Sequence, residues 1–337
     1  MSQHRLRDAF RYQAEACRGL GSPFMDRLCR LLADRLDPGT PLTDRLLDWP
    51  GDLGPAAESV PLRLCGALHA LRLAERAALA EIYPPNAVSD DRLWTGLAAA
   101  LCDEAAFIDR FIDSPPQTNE VRRSAALIAG AHEITRRFDL PLRCSELGAS
   151  AGINLNWHRF SLTTPAGALG ASDPALTVTP DWTGGVPAGP RPRVVDARGV
   201  DLNPVTDGSR LRAYLWPDQP DRMALTDAAL GAGPRPVDKG DAVDWIATRL
   251  THVDGQTHLI YSTVAWQYFP AAKQEQGRAM IEDAGAAATP DSPLAWLMME
   301  NDRGSPGAAM TLQIWPTGET LALGRIDFHG RWLRWDL

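Results

Sequence analysis

Several things are missing from this sequence, and each absence removes a class of protein. There is no basic excess: 42 Asp and Glu stand against 34 Lys and Arg, for a net charge of -8. General affinity for nucleic acid needs a basic face, so no nucleic-acid partner is expected. No apolar run is long enough to span a bilayer, and no basic-then-apolar leader opens Met1–Leu20. The expectation is a cytoplasmic protein with no membrane partner. The five cysteines (Cys17, Cys29, Cys65, Cys102 and Cys144) make no CxxC pair and read as reduced core residues. None of the seven histidines lies four residues from another, so no local metal site is expected.

What is present is an ordinary globular composition, 45% hydrophobic and 23% charged over 337 residues, enough for one large domain or two modest ones. From about residue 3 to 138 the apolar residues keep helical spacing and show no strand alternation. Phe24, Leu28, Leu31, Leu32 and Leu36 form one stripe, Leu64, Leu68 and Leu71 another, and Leu97, Leu101, Ile108 and Phe111 a third. Residues 1–138 are therefore expected to form an α-helical region, a cap or lid on the C-terminal part of the chain.

The rest of the chain is organised around Leu142–Asn156. A short apolar strand ends in Glu146, turns through Gly148-Ala149-Ser150-Ala151-Gly152, and leads into a segment expected to be an amphipathic helix. Glycines let backbone come close and take positive φ, and a helix start offers unpaired N–H groups. Beyond it, Arg193–Leu202, Pro236–Ala242, His258–Val264 and Leu294–Met299 read as further strands, with helices over Leu211–Leu230, from Val243, and over Ala271–Ala288. Met310–Trp315 and Leu321–Trp335 alternate around Pro316-Thr317-Gly318, an antiparallel hairpin. Residues 139–337 are thus expected to be an α/β domain, an open and largely parallel sheet with helices on both faces and a β-rich insertion at about 161–193.

Ligands of such sheets sit at the carboxyl ends of the strands. Glu146, Asp201, Asp241 and the Ser262–Tyr268 segment are the strand ends here. Carboxylates there can accept from ribose hydroxyls and from an exocyclic amine; Asp201 suits the first role and Asp241 the second. Singly, each has a plainer explanation: Asp201 as the start of the Asn203-Pro204 turn and Asp241 as a helix N-cap. Gln117–Ser124, with Asn119 and Glu120, reads either as a capped helix start or as polar groups turned toward a cofactor. Gly148–Gly152 also spells G-x-S-x-G, which would make Ser150 a hydrolase nucleophile with His329 downstream. The region before Leu142 lacks the strands that a nucleophile elbow follows. A plain dinucleotide fingerprint fits poorly, because Ser150 stands at its central glycine.

Ser145–Leu155 resembles motif I of class I S-adenosylmethionine-dependent methyltransferases. This loop looks like the bacterial family DUF2332, as do Pro116–Val121, Val200–Pro204, Trp216-Pro217-Asp218, Lys239–Ala242 and His329–Trp332. The resemblance spans nearly the whole chain. It implies a Rossmann-like methyltransferase fold with S-adenosylmethionine as cofactor and a small-molecule acceptor. It also implies a cofactor set of Glu146, Gly148, Ala149, Ser150, Gly152, Asn154, Asp201, Asp241, Ala242 and Asn119. Trp266 and Tyr268 are candidates to line the acceptor side, and His158, Glu120 and Tyr268 are candidate catalytic groups. About fifty residues separate Gly152 from Asp201, against the ~20 usual for such a loop and its ribose acid, and the insertion accounts for the excess. The alternative of another class is a non-catalytic module that binds a nucleoside-like ligand or a partner.

Overall fold

A computed structural model of the chain describes residues 2–55, 57–205 and 208–337. The N-terminal region is helical: α1 (Ser2–Gly19), α2 (Pro23–Arg35), α3 (Pro41–Leu47), α4 (Val60–Leu73), α5 (Asp90–Asp103) and α6 (Ala105–Ile112). Local chemistry sets several of the starts. The Ser22 hydroxyl accepts from Met25 N–H with Pro23 in the first turn of α2, and Ser89 caps α5 in the same way. The helices bury one continuous core in which Leu28, Leu32, Leu64, Leu68, Leu71, Leu97 and Ile108 are fully enclosed. Four of the five cysteines are buried as expected. Cys102 is not: it lies on the exposed face of α5.

After α7 (Ser124–Phe138) the chain enters the sheet with β1 (Leu142–Leu147). It then forms β2 (Ser161–Thr164), β3 (Gly167–Gly170), β4 (Thr177–Val178), β5 (Asp181–Gly184) and β6 (Val194–Asp201). Next come α8 (Gly208–Ala213), α9 (Pro220–Gly231), β7 (Val237–Lys239), α10 (Ala242–Ala247), β8 (Thr257–Thr263), α11 (Ala271–Ala286) and β9 (Leu294–Glu300). The chain closes with β10 (Ala308–Trp315), β11 (Glu319–Ile326) and β12 (Trp332–Trp335).

The main sheet runs β5-β12-β11-β10-β9-β8-β1-β6-β7. Its five strands β7-β6-β1-β8-β9 are mutually parallel, and β9 through β12 are antiparallel neighbours. The fold is therefore α/β with a large, mostly parallel sheet. Strands such as β8, buried at every position, are what a sheet covered on both faces requires. One core cluster joins Leu147, Val200, Ile246, Ile260, Ile281 and Trp296. In chain order the parallel strands read third, second, first, fourth, fifth, so the winding reverses between β1 and β8. Crevices at such reversals are where ligands of doubly wound sheets bind.

Residues 161–184 form a small sheet, β3-β2-β4, and the edge strand β5, which pairs in parallel with β12. Residues 119–206 and 225–337 pack into one compact unit, and residues 1–118 with 207–224 into another. No helix among the described residues is long and apolar enough to cross a membrane.

Candidate functional site

The loop after β1 is built on three left-handed residues: Gly148 at φ +75°, Ser150 at +50° and Gly152 at +68°. Two of the three need glycine for space as well as conformation. A Cβ on Gly148 would sit 2.4 Å from Cβ of Ala265, and one on Gly152 would sit 2.7 Å from Cγ2 of Val237. Ser150 is not glycine, and its left-handed backbone is held from outside. Its N–H donates to Asp201 Oδ2 at 2.8 Å, and its carbonyl accepts from Val205 N–H at 3.2 Å. Gly148 and Ala149 both donate to the carbonyl of Val200, at 3.0 and 2.9 Å, which ties the loop to the end of β6.

Expected site residues converge on this loop. Asn119 donates to the Ala149 carbonyl at 2.8 Å and accepts from Asn154 Nδ2 at 3.0 Å. Asn154 also reaches the Glu120 carbonyl at 3.3 Å, and its own carbonyl accepts from the Tyr261 hydroxyl at 3.3 Å. Glu146, 2% exposed, ends β1 beneath the loop, and its Oε2 has no hydrogen-bond partner. Burial pushes its carboxyl well above the ordinary carboxylate value and the charge of Asp201 pushes it further, while the Tyr261 hydroxyl opposes both. Asn154 Oδ1 and Ser150 Oγ are likewise buried without a partner. Most buried polar atoms in native folds are satisfied, so three bare oxygens within the stretch 146–154 call for an explanation.

Asp201 and Asp241 end adjacent strands. The β6–β7 register pairs Asp201 with Lys239, and Gly240 N–H donates to the Asp201 carbonyl at 3.0 Å. Asp241 Oδ1 is engaged three times: by Val243 N–H at 2.9 Å, Asp244 N–H at 3.1 Å and Lys273 Nζ at 3.2 Å. Burial alone would raise its carboxyl; the amides and Lys273 hold it below the ordinary value. The helix-cap explanation therefore describes Asp241 as the structure places it. Ala242 behind it is buried in the apolar cluster.

Four other candidate residues sit in surroundings of their own. Trp266 is 4% exposed and packs on Trp296 and Phe269 in the sheet's core, so it faces inward and lines no open acceptor side. Its neighbour Tyr268 is exposed. Glu120 is buried, with one oxygen accepting from Arg122 N–H, as a turn-capping carboxylate does. His158 lines a separate cleft, together with Arg159 and Arg191. The segment carrying it, Ile153–Arg159, is a 3₁₀ helix and not the amphipathic α-helix expected, because nearly all of it is buried and no solvent face remains.

Three contributors lie outside the sequence expectations. Tyr261 lies in the middle of β8. Val264 takes φ +57°, a strained backbone for a β-branched residue, and directly precedes Ala265, which meets Gly148. Glu300 closes β9 and accepts from Ala265, Trp266 and Gln267 N–H at 3.1, 3.1 and 3.3 Å, clamping the loop after β8. The rule that selects Glu146, a carboxylate ending an apolar strand, would select Glu300 too.

The model of a bacterial family matches residues 7–335. The chain belongs to the DUF2332 family. That family is described as an uncharacterized protein conserved in bacteria. No curated protein matches the chain. In this DUF2332 protein, Pro116–Val121, Ser145–Leu155 and Val200–Pro204, three of the segments that carry the family likeness, are hydrogen-bonded to one another around the loop. Among the described residues no group of three or more His, Cys, Asp or Glu is placed to hold a metal ion.

Proposed function

We propose that this protein is an S-adenosylmethionine-dependent methyltransferase of Rossmann-like type acting on a small-molecule acceptor, with the cofactor held at the loop Gly148–Gly152. The observation that carries the reading is the bare, buried Oε2 of Glu146 at the sheet's reversal, beside two further acceptors without partners. S-adenosylmethionine is rich in donors, namely an ammonium, ribose hydroxyls and an adenine amine, so its chemistry fits a site rich in unmet acceptors. Glu146, Asn154 and Ser150 would hold it, with Asp201 toward the ribose. Asp241 could serve the adenine amine through Oδ2, since the cap uses Oδ1.

Bound there, the cofactor supplies a methyl group on a sulfonium, which leaves by direct displacement. The residues of this chain bind, orient and exclude water. Asp201 fixes the curvature of the loop through Ser150 N–H, and Glu300 fixes the facing loop.

Ligand at about a hundred times its dissociation constant should stabilise the protein by ~2.7 kcal/mol. A melting temperature unchanged by millimolar S-adenosylmethionine and S-adenosylhomocysteine would overturn the reading. The hydrolase alternative has one observation in its favour, the strained φ of Ser150. A nucleophilic serine needs a base within hydrogen-bond reach, and Ser150 Oγ has no such partner. A fluorophosphonate probe should leave Ser150 unlabelled; labelling would establish the alternative.

A further inference from the structure

Away from the loop, the end of the 3₁₀ helix Ile153–Arg159 forms one wall of an open cleft of about 480 Å³, lined by His158, Arg159, Ala171, Asp173, Arg191 and Ala232. We propose that this cleft binds the oxyanion group, phosphate or carboxylate, of a small ligand through Arg159, Arg191 and His158. The inference is independent of what occupies the glycine loop.

Three observations carry it. First, the two guanidiniums are free of carboxylates. Arg159 donates to the Ala232 carbonyl at 3.2 Å and Arg191 to Ser172 Oγ at 3.0 Å, and neither is in an ion pair among the described residues. Elsewhere in this acidic chain many arginines are paired, Arg136 and Arg137 with Glu133, Arg198 with Asp238, and Arg325 with Asp302 among them. A planar guanidinium with spare N–H groups is suited to a planar carboxylate or a phosphate.

Second, the walls are fixed. Both segments that carry the cleft are pinned to α7 by one imidazole. His132 Nδ1 lies 2.8 Å from the Gly189 carbonyl, and Gly170 N–H donates to its Nε2 at 3.2 Å. Thr135 adds a hydrogen bond to the Pro190 carbonyl at 2.8 Å. A Cβ on Gly189 would lie 1.7 Å from the His132 carbonyl, so glycine is required for that approach. Arg191 follows directly from this anchor, and Ala171 follows from the other. Short antiparallel pairing of β2 with β3, and the Ala175 N–H bond to the Arg159 carbonyl at 2.9 Å, close the floor.

Third, His158 is half-buried in the same lining, and its Nδ1 makes no hydrogen bond to a described residue. Its burial, then the charge of Arg159, hold the imidazole down at about 4 against the pull of the Leu155 carbonyl, and Arg191 adds a smaller push in the same downward direction. An anion would offset the local positive charge. A volume of this size suits a small metabolite, for which pockets of about 300–1,000 Å³ are usual. Asp173 on the rim supplies an acceptor for a neighbouring hydroxyl or amine of the same ligand.

The test is calorimetric titration of the full chain with inorganic phosphate and, separately, with acetate, at low ionic strength. Saturable binding at one site is expected for at least one of them, and the tighter anion identifies the group recognised. Arg191→Gln should weaken binding by about tenfold, and the Arg159→Gln, Arg191→Gln double variant by about a hundredfold. Asp173→Asn should tighten it by removing a like charge, a gain that misfolding cannot imitate. Binding of neither anion, or affinities indifferent to all three variants, would overturn the proposal.

Discussion

Glu146 and Glu300 form an instructive pair. Each is a carboxyl group at the carboxyl end of a strand in the same sheet, and burial disfavours the charged form of both, pushing them above the ordinary carboxylate value. Around Glu300 the fold supplies partners: the N–H groups of Ala265, Trp266 and Gln267 oppose the effect of burial, although its carboxyl stays above the ordinary value. Around Glu146 it does the reverse, since the charge of Asp201 adds to burial and Oε2 is left bare. A carboxylate satisfied by its own chain is a structural clamp. One left unsatisfied beside a tight, strained loop costs stability that the folded protein alone does not recover. The same contrast separates Asp241, occupied as a cap, from Asp201, which meets the loop.

Breaking the clamp should have the largest effect. Glu300→Ala removes the acceptor for three amides and is expected to cost about 3 kcal/mol, read as a lowered midpoint in urea melts. Glu300→Gln keeps an acceptor and should cost clearly less. If the two variants are equal, the clamp is not made of hydrogen bonds. Asp201→Ala should follow, at about 2 kcal/mol, because it frees Ser150 N–H and Asn203 N–H together. It should also weaken S-adenosylmethionine at least about tenfold, by loss of an acceptor and of loop curvature; unaltered affinity would remove Asp201 from the site.

Glu146→Gln sharpens the comparison by its sign. A carboxyl raised on folding contributes stability below its unfolded value, near 4.5, which is lost as pH rises through the folded value. The variant has no such loss, so its advantage over the wild type should be absent near pH 4 and grow as the pH rises to 8. Denaturant melts at both pH values check this, and an advantage that shrinks with rising pH would contradict it. Asp241→Ala should be the mildest, about 1 kcal/mol for a lost N-cap.

Much of the sheet was legible from short strand-like segments between turns: Leu294–Met299 is apolar throughout, while Leu142–Leu147 and His258–Val264 mix apolar with polar residues. The C-terminal hairpin showed in its alternation and its Pro316–Gly318 turn. The joining of β5 to β12 did not, since it pairs residues some 150 positions apart and nothing local encodes the register. At the site, the residues drawn to the loop, Asn119, Glu146, Ser150, Asn154 and Asp201, were legible because strand ends and glycine turns mark them locally. Trp266 misled because the rings that bury it, chiefly Trp296, come from another strand. The short helix misled because its polar residues, Asn154 and Asn156, face inward to hydrogen bonds with Asn119, Glu120, Gly233 and Pro234. Polarity there does not mean exposure.

Calorimetric titration of the wild-type protein and of Asp201→Ala with S-adenosylhomocysteine bears most directly on the loop as a cofactor site. The expected result is binding at one site per chain by the wild type and a loss of at least about tenfold in the variant. No heat of binding at millimolar ligand, with the wild type shown to be folded, would contradict it.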